Sequence, residues 1–386
     1  MKPRTRAVHA GAPRPGAGRP AESAPAIHQA SAPIFARLED LEAAYEDRAF
    51  VYRRYGSTNQ LALEEAILDL EGGGEEHLAL ATASGMAALT LGCLALNPAG
   101  QKVVGASGLY GGTHRLISSE LPRLGVASAL VNVADEDALA GALQGAALLV
   151  VETISNPAMR VADIATLADR AHAAGVALLV DNTFASPILC RPLELGADAV
   201  MESATKYLCG HADAMAGTIV MGAEAGSRAL DLSRIHGAVA APMDCWLVLR
   251  GMRTLGLRVE AACRSAERIA PYLAGHPAVE RVDYPGLGPD PIAAGVLSDG
   301  FGGMLSFTLR GGEEAVRRAC SRMRLITLMP SLADVATTVS HPTSTSHRGM
   351  TEDELVAAGT SAGMLRLSVG VEDVDDILAD LELALG

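Results

Sequence analysis

Apolar residues fall along this chain in short blocks, and the period within each block names an element. Val103 to Ala106, Ala147 to Val151, Gly175 to Val180 and Ala197 to Glu202 are compact runs rich in Val, Leu and Ala. They are too short for helices and lack polar alternation, as expected of strands buried on both faces. Between them, Leu61 to Leu70, Ala87 to Leu96 and Ile164 to Ala174 read as helices. This alternation, from about Ala43 to Arg234, predicts an α/β fold: a mostly parallel central sheet with helices on both faces. Past Pro242 the pattern changes to one long helix, roughly Cys245 to Leu273, then apolar strands near Gly303 to Leu309 and a closing helix from Val374. The changes divide the chain into an extended N-terminal arm at 1–42, an α/β domain at 43–243 and a smaller α+β domain at 244–386. Residues 10 to 33, rich in Ala, Gly and Pro, carry no sustained period and suit an arm that packs on another subunit.

Leu78 to Leu96 is a stretch of 19 residues without a charge, which approaches the length of a membrane span. Eleven of them are Ala, Gly, Ser or Thr, and Ser84-Gly85 punctuates the run as strand, turn and helix start would. The formal net charge is −14 and no basic stretch occurs, so nucleic acid and anionic membranes are poor partners. Six cysteines are scattered without C-x-x-C spacing, which speaks for reduced thiols. The first nine residues are basic, but no apolar stretch follows them, and a cytoplasmic location is expected.

Chemistry concentrates at the ends of two of the strands. Val180-Asp181-Asn182-Thr183 closes one apolar run and Ser203-Ala204-Thr205-Lys206-Tyr207 closes the next. In parallel neighbours both Asp181 and Lys206 emerge at the carboxyl ends, where open α/β sheets bind ligands. A lysine near an apolar wall has a lowered pKa and can bond to a carbonyl cofactor, and a carboxylate can hold a pyridine nitrogen protonated. The pair reads as a site for pyridoxal 5'-phosphate. Ser84-Gly85-Met86 opens a helix after a strand, so its free N–H groups suit a phosphate. Ser203 and Thr205 can point their hydroxyls to the same side. Gly72-Gly73-Gly74 lacks a following Lys-Ser or Lys-Thr and is a helix stop.

Six ordered stretches carry a resemblance over almost the whole chain: Thr5 to Gly11, Leu109 to Thr113, Val180 to Phe184, Ser203 to Tyr207 with Gly210-His211, Tyr284 to Leu287, and Arg366 to Asp373. The chain resembles the Cys/Met-metabolism (transsulfuration) family of pyridoxal-phosphate enzymes. The resemblance implies a type I fold of the PLP-dependent transferases. It implies that Gly85, Met86, Ser203 and Thr205 hold the phosphate, that Tyr110 stacks on the cofactor ring and moves protons, and that Asn156 bonds the ring hydroxyl. Tyr52 and Arg54 match residues that reach the cofactor phosphate of a neighbouring subunit, implying a homotetramer built from dimers that share active sites. Arg366 resembles the arginine that pairs with the substrate α-carboxylate, assisted by Ser331. Arg115 matches the spacing at which cystathionine enzymes hold a distal carboxylate.

Three departures stand out: Ile154 for the usual proline, Ser57-Thr58-Asn59 for Asn-Pro-Thr, and Pro330 where γ-active cystathionine enzymes often carry glutamate. The expected reaction is α,γ-elimination from a γ-substituted amino acid such as L-cystathionine or L-methionine. Lys206 is the base at the α-carbon, Asp181 the partner of the ring nitrogen and Tyr110 the acid for the leaving group. The alternative is γ-replacement by a thiol; an idle binding or scaffold protein is a third reading, opposed by the intact Lys206, Asp181 and Tyr110. His341 and His347, in Ser340-His341-Pro342 and Ser346-His347-Arg348, resemble a family loop near the substrate entrance and lack a third ligand, and no metal is assigned.

Overall fold

The computed structural model describes residues 1–12, 23–46, 50–97 and 99–386. Seven strands form the first sheet: β1 (His77–Thr82), β2 (Lys102–Ala106), β3 (Ser128–Val131), β4 (Ala146–Glu152), β5 (Ala177–Asp181), β6 (Ala199–Glu202) and β7 (Gly217–Gly222). Their order is β1-β7-β6-β5-β4-β2-β3. All run the same way except β7, which pairs antiparallel with both β1 and β6. The mostly parallel sheet expected from the sequence is therefore present.

Helices cover both faces, which explains why the strands show no alternation. Leu149 and Val151 of β4 enter one apolar layer with Leu178 and Val180 of β5. Leu148, Val150 and Leu179 enter the layer on the opposite face. Burying each such Leu or Val contributes about 1.5–3 kcal/mol, so a charge at any of these positions would cost more than a domain can spare.

The second sheet holds β8 (Val279–Asp283), β9 (Met304–Leu309), β10 (Thr327–Leu328), β11 (Thr338–Ser340) and β12 (Met364–Ser368), in the order β10-β11-β12-β9-β8. The single long helix expected after Pro242 is two helices, Pro242–Met252 and Leu255–Gly275. Their junction is fixed by side chains: Arg258 Nη2 donates to the Gly251 carbonyl at 2.8 Å and Thr254 Oγ1 donates to it at 3.1 Å. Leu255, Val259 and Cys263 pack in the core of the first sheet, and Ile269, Ala270 and Leu273 in that of the second. One helix thus ties the two sheets together.

The stretch expected to be an extended arm departs from that at its start. Pro3–Val8 is helical, buries Ala7, and Arg4 pairs with Glu260 of this same chain at 2.5 Å. Further on, Trp246 Nε1 donates to the Pro25 carbonyl and Asn59 Nδ2 to that of Ala26. Residues 13–22 of the expected arm lie outside the described residues. No helix among the described residues is long and apolar enough to cross a membrane; Leu78–Leu96 is β1 running into the helix Gly85–Ala95.

Candidate active site

The carboxyl ends of β1, β4, β5 and β6 border a cavity of about 520 Å³. Residues of the second sheet and its loops, Ser331, Ser344 to Ser346, Arg348 and Arg366, form the facing wall. Lys206, Asp181, Tyr110, Asn156, Gly85, Met86, Ser203, Thr205, Ser331 and Arg366, all singled out from the sequence, line it together.

At one end lies an anion cradle. Ser84 caps the helix Gly85–Ala95, its Oγ accepting from Ala87 N at 3.1 Å, a bond worth about 1 kcal/mol. Gly85 and Met86 are the first two helical residues, so their N–H groups have no intrahelical acceptor. A Cβ on Gly85 would lie 2.7 Å from Ser203 Cβ, closer than any side chain tolerates. Glycine is what lets the helix start approach the end of β6. Ser203 and Thr205 line the same cavity; the Thr205 hydroxyl donates to the Ala216 carbonyl at 3.2 Å, and the free N–H groups, the Ser203 hydroxyl and the helix dipole suit a phosphate.

Asp181 ends β5. Its Oδ1 accepts from Thr183 N at 3.0 Å and Thr183 Oγ1 at 2.5 Å, and Thr183 Oγ1 in turn accepts from Ser203 N at 2.9 Å. Burial raises the Asp181 pKa, opposed by the two Thr183 bonds. A cationic ring nitrogen is the partner such a carboxylate lacks. Lys206 Nζ donates to Ser331 Oγ at 2.8 Å. Burial first, and the Arg366 charge second, lower its pKa to about 8.

Arg366, in β12, is buried. Nη1 donates to Asn156 Oδ1 at 2.9 Å, while Nε is buried without any acceptor. Burial lowers its pKa to about 10, with Tyr110 and Glu152 opposing, so it remains charged at neutral pH. A buried guanidinium with an open donor calls for an anion.

Glu152 is a residue that the sequence reading assigned no role. At the end of β4 it stands opposite Asp181 in the strand register. Its Oε1 accepts from Tyr110 N at 2.6 Å and its Oε2 from Asn156 N at 3.0 Å, so one carboxyl fixes two residues of the wall. Burial, then the charge of Asp181, pushes its pKa well up. Its signal in the sequence is a carboxyl at the end of an apolar strand, the same signal that Asp181 gives. Thr183 was likewise visible only as part of the Asp181 motif.

The structure does not bring Arg115 to the cavity. It ends the short helix Gly111–Arg115 with its side chain 75% exposed, and its Nε lies 3.5 Å from Glu120 Oε1. The spacing from Tyr110 matched, but the helix turns the side chain outward onto an acidic neighbour. Tyr52 and Arg54 also stand apart from this chain's own cavity. Arg54 Nη1 donates to the Arg234 carbonyl at 2.6 Å, and its guanidinium lies 4.8 Å from the Tyr55 ring centroid. No group of three His, Cys, Asp or Glu among the described residues is placed to hold a metal ion.

Beneath the cavity lies a second acidic pair that the sequence did not announce. Glu71 and Glu202 are both buried and share the Asn182 amide, whose Nδ2 lies 3.3 Å from Glu71 Oε1 and 3.5 Å from Glu202 Oε1. Each keeps a buried, partnerless Oε2. Asn182 follows Asp181 and Glu202 precedes Ser203, so the pair braces both. Burial raises Glu71 to about 8, and burial with the neighbouring Glu71 charge raises Glu202 well above its usual range. Because both folded pKa values exceed the unfolded one, the stability they contribute is complete below about pH 4.5 and is lost as pH rises through about 8. Glu202→Gln, whose amide can donate permanently to Glu71, is expected to make the decline shallower and raise stability above pH 8 by on the order of 2 kcal/mol. Urea denaturation from pH 5 to 9 measures it; superimposable wild-type and variant profiles would disprove the raised carboxyl pKa values.

A phosphate cradle, a readily deprotonated lysine, a carboxylate at the strand end and a buried arginine on one α/β sheet define a pyridoxal-phosphate-dependent enzyme. Comparison with known proteins makes the class narrower. The family described as Cys/Met metabolism PLP-dependent enzyme matches residues 4–386. An L-methionine gamma-lyase of Fusobacterium nucleatum subsp. polymorphum is 38% identical over 368 residues, covering 93% of this chain and 92% of that protein. A cystathionine gamma-lyase of Bacillus subtilis is 38% identical over 346 residues, covering 89% and 90%. The crystal structure of a cystathionine gamma synthase from Xanthomonas oryzae pv. oryzae superposes with a TM-score of 0.91 at 36% identity, covering 100% of this chain and 98% of that one. The chain belongs to the Cys/Met metabolism family of PLP-dependent enzymes.

Proposed function

We propose that the protein catalyses α,γ-elimination from a γ-substituted L-amino acid, L-cystathionine or L-methionine, to a 2-oxo acid, ammonia and a thiol. The observation that carries this reading is the cavity shared by Lys206 and Arg366: an amine lowered to about 8 facing a buried guanidinium with an open donor. When bound, pyridoxal phosphate supplies the electron sink that makes α- and β-protons of an amino acid removable.

The chain's own residues do the rest. Gly85, Met86, Ser203 and Thr205 hold the phosphate, Asp181 keeps the ring nitrogen protonated, and Asn156 bonds the ring hydroxyl. Arg366 takes the α-carboxylate, with Ser331 beside it. Lys206, once free, is the general base at the α-carbon, aided by its lowered pKa. Tyr110, held at its backbone by Glu152, stacks on the ring and protonates the leaving sulfur. Besides Lys206, the cations of this chain that line the cavity, Arg348 and Arg366, stand on the wall formed by the second sheet and its loops. That supports a neighbouring subunit's copy of Tyr52 and Arg54 as the phosphate's cationic partners.

That sharing makes the active unit at least a dimer, and the resemblance to the family extends it to a homotetramer of such dimers. The exposed Ile34, Leu38, Tyr45 and Tyr52 support a subunit contact along this stretch of chain. The location is cytoplasmic on this reading, and residues 43–243 and 244–386 are the two domains. The 36% identical cystathionine gamma synthase keeps γ-replacement by a thiol as the second reading, because the same residues serve both fates.

Incubation with L-cystathionine followed by mass spectrometry of the 2-oxo acid tests the proposal. 2-Oxobutanoate is the expected product. Pyruvate would show β-elimination instead, and product only when a thiol and an O-acylated homoserine are supplied would show replacement.

A further inference from the structure

Five charged side chains line the cavity: Glu152, Asp181, Lys206, Arg348 and Arg366. Four are engaged: Glu152 and Asp181 accept backbone N–H groups, Lys206 donates to Ser331 and Arg366 to Asn156. Arg348 is the exception. Among the described residues its guanidinium has no hydrogen-bond acceptor and no acidic partner within 4.0 Å, although the chain carries 45 acidic residues against 31 basic ones. It is exposed and also lines the cavity, which places it where the cavity meets solvent.

The loop that carries Arg348 is seated firmly. A Cβ on Gly111 would fall 1.9 Å from the Ser346 carbonyl oxygen, so only glycine beside Tyr110 lets the loop approach this closely. His347, the preceding residue, is buried against the Asn156 and Leu109 backbones and feels the Arg366 charge; burial lowers it to about 4, so it is neutral. These contacts set the loop beside Arg366 and Tyr110, on the substrate side of the cavity. The sequence expected Arg115 to meet the far end of a two-ended substrate, and that arginine points at Glu120 instead.

We infer that Arg348 is the specificity-determining residue for the distal end of the substrate, selecting γ-substituted amino acids whose far end carries a carboxylate or a comparable anion. The inference rests on the reading of this cavity as the pyridoxal-phosphate site with Arg366 at the α-carboxylate. An arginine fork at the cavity mouth suits a carboxylate through two donors.

The test uses the holoprotein and two unreactive ligands. L-2-Aminosuberate places its second carboxylate as far along the chain as cystathionine does, and L-2-aminooctanoate ends in a methyl group. Dissociation constants follow from calorimetric titration, and cofactor loading from visible absorption. Arg348→Ala is expected to reduce the preference for aminosuberate over aminooctanoate by about 10- to 100-fold, with Arg348→Lys keeping part of it. Arg115→Ala is expected to leave the preference in place. A preference within threefold of wild type in Arg348→Ala, an equal weakening of both ligands, or a lost preference in Arg115→Ala alone would overturn the inference. Weakened uptake of pyridoxal phosphate by Arg348→Ala would also overturn it, because the guanidinium would then serve the cofactor. A wild-type protein that takes up no cofactor would refute the underlying site reading, an outcome distinct from a loaded enzyme without preference.

Discussion

Replacing Lys206 with alanine is expected to lower turnover of L-cystathionine by about 10⁴-fold or more, since the residue serves both as the covalent attachment for the cofactor and as the base at the α-carbon. The environment explains why a lysine can do the second task at neutral pH. With an ordinary pKa, ~0.3% of the side chain would be neutral at pH 8; burial and the Arg366 charge bring its pKa to about 8, where half is neutral. The neutral amine is the reactive form, so uptake of pyridoxal phosphate by cofactor-free protein should accelerate as pH rises through about 8 and then level off. Stopped-flow absorbance across pH 6.5 to 10 reads the midpoint. In the alanine variant, borohydride should no longer fix the cofactor to the chain. Turnover in that variant within tenfold of wild type would end the assignment of Lys206 as base.

How much of this site the sequence revealed depends on where each residue's interactions lie. Asp181 and Lys206 were legible because they close apolar runs that become adjacent parallel strands, β5 and β6, and strand order alone then brings them to one edge. Gly85 was legible as a helix start for the same reason. Glu152 was not, because its role consists of bonds to backbone N–H groups of Tyr110, 42 residues away, and of Asn156. The Glu71–Glu202 pair needed the end of one helix to meet β6 across Asn182, a meeting that no local pattern records.

Arg115 shows the opposite failure. Its spacing matched a family pattern, yet spacing along a five-residue helix does not decide which way a side chain faces. Arg348 lay in a loop that the resemblance placed near the substrate entrance, but the sequence weighed only its histidines and gave this arginine no role. The second sheet was only partly foreseen, since β8 is half-exposed and β10 is two exposed residues, so neither buries the apolar run by which strands are recognised. The helix break at Arg253 and Thr254 depends on Arg258, whose guanidinium also donates to the Tyr207 carbonyl at 2.8 Å and so belongs to tertiary structure.

Arg366→Met is expected to lower kcat/KM by about 10²- to 10³-fold, mainly through KM, because a charged bond to the α-carboxylate is made in the ground state and persists through the reaction. The same variant should not lose stability. Arg366 is buried with its Nε unpartnered, and an apolar side chain of similar length removes a desolvated charge without leaving an acid unpaired at close range. A residue kept only for folding would behave in the reverse manner, losing stability while sparing KM. A third readout separates electrostatics from shape. The Arg366 charge is the second cause that lowers Lys206, after burial, so its removal should move the pH midpoint of cofactor uptake upward from about 8, while a lysine at the same position should hold it down. An unchanged KM together with an unmoved midpoint would mean that the open guanidinium donor faces no anion during the reaction and does not tune the base. The α-carboxylate would then have to be sought at the other cation of this wall, Arg348.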